Sequence, residues 1–251
     1  MKQTVILMLC LALAVTLQAQ TATPAQTLAQ ANRAYTAGDY ETAISLYQSL
    51  LEAGVGEGAV HFNLGSAYYE SDQTGRALAH FLQAQRYLPR DADLNQFIAR
   101  IQGERDAVQG DEQVPIDRLG GLTQSVMTRG ELVAAAFVVW AVWFGLAAWM
   151  VWRPGMRGAL RSVLVVLGIV LFGVLLLMGS RLYVEAARPQ AVIIDGATPA
   201  YSGPAERYLQ LYSVPEAAQL RVLERRDGWA RFVLPDGRQG WLQADAMLVV
   251  G

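Results

Sequence analysis

Cysteine is almost missing from this chain: Cys10 is the single one in 251 residues. That excludes an intramolecular disulfide, a cysteine-based zinc site and a CxxC redox pair. Lysine is as scarce, Lys2 standing alone among 20 basic residues, so a chain that loses its N-terminus keeps no side-chain amine for a Schiff base. Histidine is limited to His61 and His80, and no further ligand type clusters with them, so they read as packing or surface residues rather than metal ligands. There is no GxxxxGK[ST] phosphate loop and no GxSxG nucleophile motif. Hence no catalytic, cofactor-binding or metal-binding residue is nominated, and the expectation is a protein that is not an enzyme and needs no cofactor. Charge is also sparse, at 17% of residues, where soluble domains carry about a quarter. The net charge of −2 supplies no clustered basic surface for nucleic acid.

What the chain does have is apolar sequence, 53% of all residues. Lys2, an apolar run from Thr4 to Leu17 and the small residue Ala19 have the layout of a secretory signal peptide over 1–19, with an uncleaved anchor as the other reading. Cys10 is not a lipidation site, because bulky Leu9 precedes it and apolar residues follow. Leu132 to Trp152 and Ser162 to Ser180 are longer uncharged runs, each about 30 Å as a helix and so matched to a lipid bilayer. Four tryptophans, Trp140, Trp143, Trp149 and Trp152, leave the first run no polar face for water. Two transmembrane helices are therefore expected over 131–182. Their connection, 153–161, holds Arg153, Arg157 and Arg161 and no acid, which puts it in the cytoplasm and both flanking regions outside.

Between signal and spans, sequence repeats with a period of 34: Tyr35 with Tyr69, Ala43 with Ala77, Tyr47 with Phe81. Gly38-Asp39-Tyr40 marks a turn in the first copy, and Asn63-Leu64-Gly65, Tyr68, Ala84 and Pro89 complete the second. This pattern resembles the tetratricopeptide repeat, in which small residues let two antiparallel helices approach and aromatics fill the holes. Two departures stand out: Asp72 replaces the turn glycine, and His61 replaces the helix A tryptophan. Asp91 to Val108 is expected as a capping helix started by Asp91 or Asp93, with Leu94, Phe97, Ile98 and Ile101 as its apolar stripe. The repeats with their cap then span 24–108, and Gly- and acid-containing 109–130 reads as a linker. The resemblance implies a concave, partner-binding face made by Leu28, Asn32, Tyr35, Phe62, Asn63, Ser66 and Tyr69. Some repeat proteins clamp a terminal carboxylate with two asparagines and several cations. Asn32 and Asn63 match the asparagines, but Leu28, Asp93 and Phe97 occupy the cation positions, so hydrogen bonding between helices is the plainer role for both.

After Pro189 the pattern changes to period two with turns. Strands are expected at Ala191–Ile194, Gln219–Glu224, Trp229–Leu234 and Gly240–Leu242, with turns at Tyr201-Ser202-Gly203-Pro204, Asp227-Gly228 and Pro235-Asp236-Gly237. The motifs Ser202-Gly203-Pro204, Asp227-Gly228-Trp229 and Asp236-Gly237-Arg238-Gln239-Gly240-Trp241 are similar to those of bacterial SH3-like (SH3b) domains, which implies a small all-β barrel over 189–251. In such domains Tyr201, Trp229 and Trp241 could form an aromatic groove. Packing of Trp229 and Trp241 in the core is the favoured alternative, with Tyr201 the better exposed contact.

The fold class is thus a multi-domain membrane protein: all-α helical repeats, a transmembrane α-hairpin and a small all-β barrel. That order resembles the Bacteroides aerotolerance operon proteins of the BatE type. The resemblance implies a scaffold or adaptor outside the bacterial cytoplasmic membrane, working beside von Willebrand A-type membrane proteins and a MoxR-type ATPase. The alternative is a cell-wall sensor whose barrel holds peptidoglycan stem peptide.

Overall fold

The computed structural model describes residues 23–109, 129–152, 157–187 and 189–250. The signal peptide expected over 1–19, linker residues 110–128 and loop residues 153–156 lie outside the described residues.

Five helices build the N-terminal module: α1 (Pro24–Thr36), α2 (Tyr40–Glu52), α3 (Glu57–Glu70), α4 (Thr74–Gln85) and α5 (Ala92–Gln109). Their starts follow from local chemistry. Thr23 and Gln26 form a reciprocal capping box around Pro24, Asp39 Oδ1 accepts from Thr42 N–H, and Asp91 Oδ1 accepts from Leu94 N–H at 2.9 Å. Asp91, not Asp93, is therefore the residue that starts the capping helix. Asp72 adopts φ +60°, the same left-handed turn conformation as Gly38 at +80°, so the substituted repeat keeps its turn geometry. Ala31, Ala43 and Ala77 are fully buried where helices meet. At Gly65 a Cβ would lie 2.7 Å from the Phe81 ring, so only glycine lets α3 approach α4 this closely. Leu94, Ile98 and Ile101 of α5 close the core, and the Phe97 ring stacks on Phe81 at 5.2 Å between centroids.

Two long helices follow, α6 (Arg129–Trp152) and α7 (Arg157–Ala187), packed side by side with the Trp143 indole N–H donating to the Leu164 carbonyl at 2.9 Å. Within α6, Val133–Met150 is long and apolar enough to cross a membrane, with mean hydropathy 2.0; in α7, Arg161–Leu176 forms a shorter apolar helix. Phe137, Trp140, Phe144 and Phe172 are exposed on the pair.

The C-terminal domain is one antiparallel sheet of β1 (Gln190–Ile193), β2 (Thr198–Tyr201), β3 (Gln210–Val214), β4 (Gln219–Arg226), β5 (Trp229–Val233), β6 (Gln239–Gln243) and β7 (Met247–Val250). The spatial order is β3-β2-β6-β5-β4-β1-β7. Asp227 at φ +50° and Gly228 at +79° make the tight turn between β4 and β5 that the Asp-Gly pair announced. Ala200, Leu220, Val222, Ala230, Phe232 and Leu242 alternate inward to form the core. The turn expected at Tyr201–Pro204 begins one residue later, because Tyr201 is the last residue of β2.

The two modules touch. Helix α4 packs on β1 and β7, and Val192, Ala217 and Val250 join the helical core. The Gly75 N–H donates to Glu216 Oε1 at 2.7 Å, Gln83 Nε2 donates to the Val249 carbonyl at 3.2 Å, and Arg76 stands 4.0 Å from Asp195. At Gly75 a methyl group would run into the Ile193 carbonyl and lie 2.8 Å from Ile194 Cα. The helix thereby covers β7, which ends the sheet and would otherwise be open to pairing with other chains.

Candidate functional site

The repeats enclose a half-open cavity of about 440 Å³ lined by Asn32, Tyr35, Thr36, Tyr47, Phe62, Asn63, Ser66 and Phe97. Spacing explains the gathering: Asn32, Tyr35 and Thr36 fall on one face of α1, and Phe62, Asn63 and Ser66 on one face of α3. Phe97 closes the far end from α5.

Five of the seven nominated groove residues, Asn32, Tyr35, Phe62, Asn63 and Ser66, line this cavity. Leu28 instead packs half-buried on the helical core, and Tyr69 sits against Phe97 edge-on at 5.6 Å. Thr36, Tyr47 and Phe97 are additional lining residues. The period-34 pairing of Tyr47 with Phe81 marked Tyr47 as a repeat aromatic without saying that its hydroxyl reaches the groove. Phe97 stood in the capping stripe, and only the packing of α5 on α4, which brings its ring to Phe62 and Tyr69 of α3, turns one edge of that stripe into the cavity wall.

Polar groups in the groove are organised around one atom. Asn32 Oδ1 accepts from the Tyr47 hydroxyl at 2.7 Å and from Asn63 Nδ2 at 3.4 Å. This is the interhelical bonding expected of the two asparagines. Among the described residues no acceptor engages Asn32 Nδ2, which leaves an amide donor for a ligand carbonyl. Burial pushes the Tyr35 and Tyr47 hydroxyls above their usual pKa, with Glu70 adding to the effect at Tyr35. Both phenols are neutral hydrogen-bonding groups throughout the physiological range. The surface therefore offers aromatic faces and uncharged donors and acceptors, which suits a peptide backbone with apolar side chains.

Behind the groove, His61 of α3 and His80 of α4 meet Nδ1 to Nδ1 at 3.0 Å, a distance at which one ring donates and the other accepts. Their rings stack at 5.3 Å, and Tyr68 lies parallel to His80 at 5.4 Å with Arg76 over its face. Burial lowers the pKa of both, and His80, next to His61 and Arg76, falls to about 3. His61 thus fills the position of the expected tryptophan by pairing with a second ring, a partnership no sequence periodicity announced. Among the described residues no group of three or more His, Cys, Asp or Glu could hold a metal ion.

On the sheet, Tyr201 pairs with Trp241, Arg231 pairs with Trp241, and the Tyr201 ring meets Trp229 edge-on at 5.5 Å. Directly opposed residues and i±2 neighbours share a face, so Tyr201, Trp229 and Trp241 stand together. Trp229 and Trp241 are half-buried on the outward face rather than in the core, because Ala230, Phe232 and Leu242 take the inward positions.

A stack of helix pairs with this spacing defines a helical-repeat interaction module. More particularly, residues 34–101 match the tetratricopeptide repeat family, and this part of the chain is a tetratricopeptide repeat region. No curated protein and no solved structure matches the chain.

Proposed function

We propose that this protein is a membrane-anchored, non-enzymatic scaffold that holds an extended segment of a partner protein in its repeat groove. The carrying observation is the 440 Å³ cavity, where aromatic walls surround the Asn32 carboxamide on the face that such repeats use for protein partners. In this reading α6 and α7 are paired spans with the 153–161 connection in the cytoplasm, and the SH3-like sheet domain stands beside the repeats outside. The chain order supports a place in an aerotolerance-type membrane complex, with von Willebrand A-type proteins and a MoxR-type ATPase system as partners. The test combines topology and binding. Alkaline phosphatase fused after residue 251 should be active and fused after residue 155 inactive; activity in the loop overturns the arrangement. Tyr35→Ala should weaken partner co-purification by about 2 kcal/mol, some thirtyfold, with helical circular dichroism unchanged. A folded variant that binds normally removes the groove from the interface.

One observation favours a second reading, a cell-wall peptide sensor: Tyr201, Trp229 and Trp241 share one outward face. Retention of the full chain on purified peptidoglycan, lost in Tyr201→Ala, is the result that reading requires.

A further inference from the structure

The sheet domain carries an arginine-rich hairpin whose place relative to the bilayer follows from strand directions. Helix α7 ends at Ala187 and β1 begins at Gln190. Helix α4 runs antiparallel to β1: Gly75, near its start, lies against Ile193 and Ile194, whereas Gln83, two turns later, bonds Val249, the register partner of Ala191. Beyond the end of α4, Arg90 binds Glu131 at 3.1 Å, beside the start of the apolar stretch of α6. The Gln190 end of β1 and the Arg90 end of the repeats therefore both face the entry points of α6 and α7, and Ile193 points away from them.

Strand β4 is antiparallel to β1, with Gln190 opposite Arg221, so it returns toward the apolar helices and overshoots Gln190. Arg226 lies five positions past Arg221, about 16 Å at strand rise. The apolar run of α7 ends near Ser180, and the remaining helical turns to Ala187 lift the chain about 10 Å before β1 starts. With the step from Ala187 to Gln190, at most about 10 Å, the rise comes to between about 10 and 20 Å and brackets the descent of β4, whose bulge between Val222 and Glu224 sharpens the local twist. The hairpin tip falls within the headgroup layer, which is roughly 5 to 7 Å deep on each side of the hydrocarbon. Residues 224–228 are exposed and Trp229 is half-buried. Arg221, Arg225, Arg226 and Arg231 outnumber the acids Glu224 and Asp227, of which Asp227 pairs with Arg226 at 3.5 Å.

We infer that the β4–β5 hairpin rests on the surface of the membrane that α6 and α7 cross, with Arg225 and Arg226 on the phosphates of anionic lipids and Trp229 at headgroup level. This rests on the reading of the two helices as spans. Tryptophan is a side chain that membrane interfaces favour, and each arginine near an anionic lipid surface is worth roughly fivefold in affinity. The contact would hold the aromatic face and the repeat groove in a fixed orientation above the bilayer.

The experiment uses the full chain with Cys10→Ser in nanodiscs of phosphatidylcholine and phosphatidylglycerol, labelled with a nitrobenzoxadiazole fluorophore at Asp227→Cys, Asp236→Cys or Val142→Cys. Position 236 sits in the β5–β6 turn, at the other end of the same strands, and is the reference. Lipid bearing a headgroup nitroxide should quench the 227 label about threefold more than the 236 label, because some 13 Å or more of strand separates the two ends. Arg225→Glu with Arg226→Glu should bring 227 down to the 236 level. Equal quenching at 227 and 236, or a 227 signal indifferent to the two glutamates, overturns the hairpin contact. Quenching of the 142 label by an acyl-chain nitroxide reports the span separately, and its failure overturns the span reading instead.

Discussion

Replacing Gly75 by alanine tests the joint between the two modules. The added methyl meets the Ile193 carbonyl and Ile194 Cα, both backbone atoms of a paired strand and its continuation, so neither can swing aside. Overpacking of this kind costs about 1–3 kcal/mol. Any retreat of α4 also stretches the 2.7 Å bond from the Gly75 N–H to the Glu216 carboxylate, and a bond to a charged group is worth about 1.5–3 kcal/mol. Against this, alanine favours the helix itself by up to about 1 kcal/mol. The net is a weakening of the docked arrangement by about 2 kcal/mol, with the repeat module itself no less stable. Amide hydrogen exchange reads this directly. Where opening is fast relative to exchange, peptides from β7 and from the first turn of α4 should exchange about thirtyfold faster in Gly75→Ala. Peptides from α1 and α2, remote from the joint, should be unchanged. Glu216→Gln, which keeps the shape and drops the charge, should give a smaller change of the same sign. If β7 protection in Gly75→Ala equals that of the parent, α4 does not cover the sheet edge in solution and the joint is refuted.

The histidine pair makes repeat stability depend on pH. A group whose folded pKa is depressed binds fewer protons when folded than when unfolded, so stability falls as pH drops through the unfolded value of about 6.5 and continues to fall until the folded value near 3. Going from pH 7 to pH 5 should cost about 2 kcal/mol at His80 alone, seen in urea unfolding followed by circular dichroism, and His80→Gln should flatten that slope. Asp72→Gly should stabilise the repeats by about 1 kcal/mol, because Asp72 holds φ +60° that glycine adopts without a Cβ penalty; an unchanged urea midpoint would contradict that account.

Much of the architecture was legible because it is local. The period of 34 places Ala43, Ala77 and Gly65 where helices cross, and each is buried there. Asp227-Gly228 and Asp236-Gly237 mark turns through positive φ, which only a few residues tolerate. Strands β2, β3 and β7 were not legible. Pro199 interrupts β2, β3 is an edge strand with Gln210, Leu211 and Ser213 exposed, and Met247-Leu248-Val249-Val250 is an unbroken apolar run without alternation. Within the groove, α1 and α3 residues could be named because helical spacing assigns their faces. Phe97 could not, since its role depends on how α5 packs on α4. The least visible feature is the joint. Gly75 reads as an ordinary small residue near a helix start, and Glu216, 141 positions away, gives no hint that its carboxylate caps that helix.

That joint also bears on how the chain meets a membrane. A polypeptide that crosses a bilayer once between two modules leaves them on opposite sides, where no hydrogen bond between them can form. Gln83 bonds Val249, and Gly75 bonds Glu216, so the stretch between the modules crosses twice or not at all. Not crossing would leave Val133–Met150, at mean hydropathy 2.0 and with Phe137, Trp140 and Phe144 exposed, facing water along its length, and exposed apolar surface of that kind marks a membrane or protein contact. Two crossings require α7 to make the return. Helix α7 runs for 31 residues, of which Arg161–Leu176 forms the apolar part, and it packs on α6 through the Trp143 and Leu164 contact. In the proposed topology the arginines of the connecting loop are what chooses the cytoplasmic side. In the proposed two-span arrangement, the pairing of α6 and α7 is supported by contacts made entirely outside them.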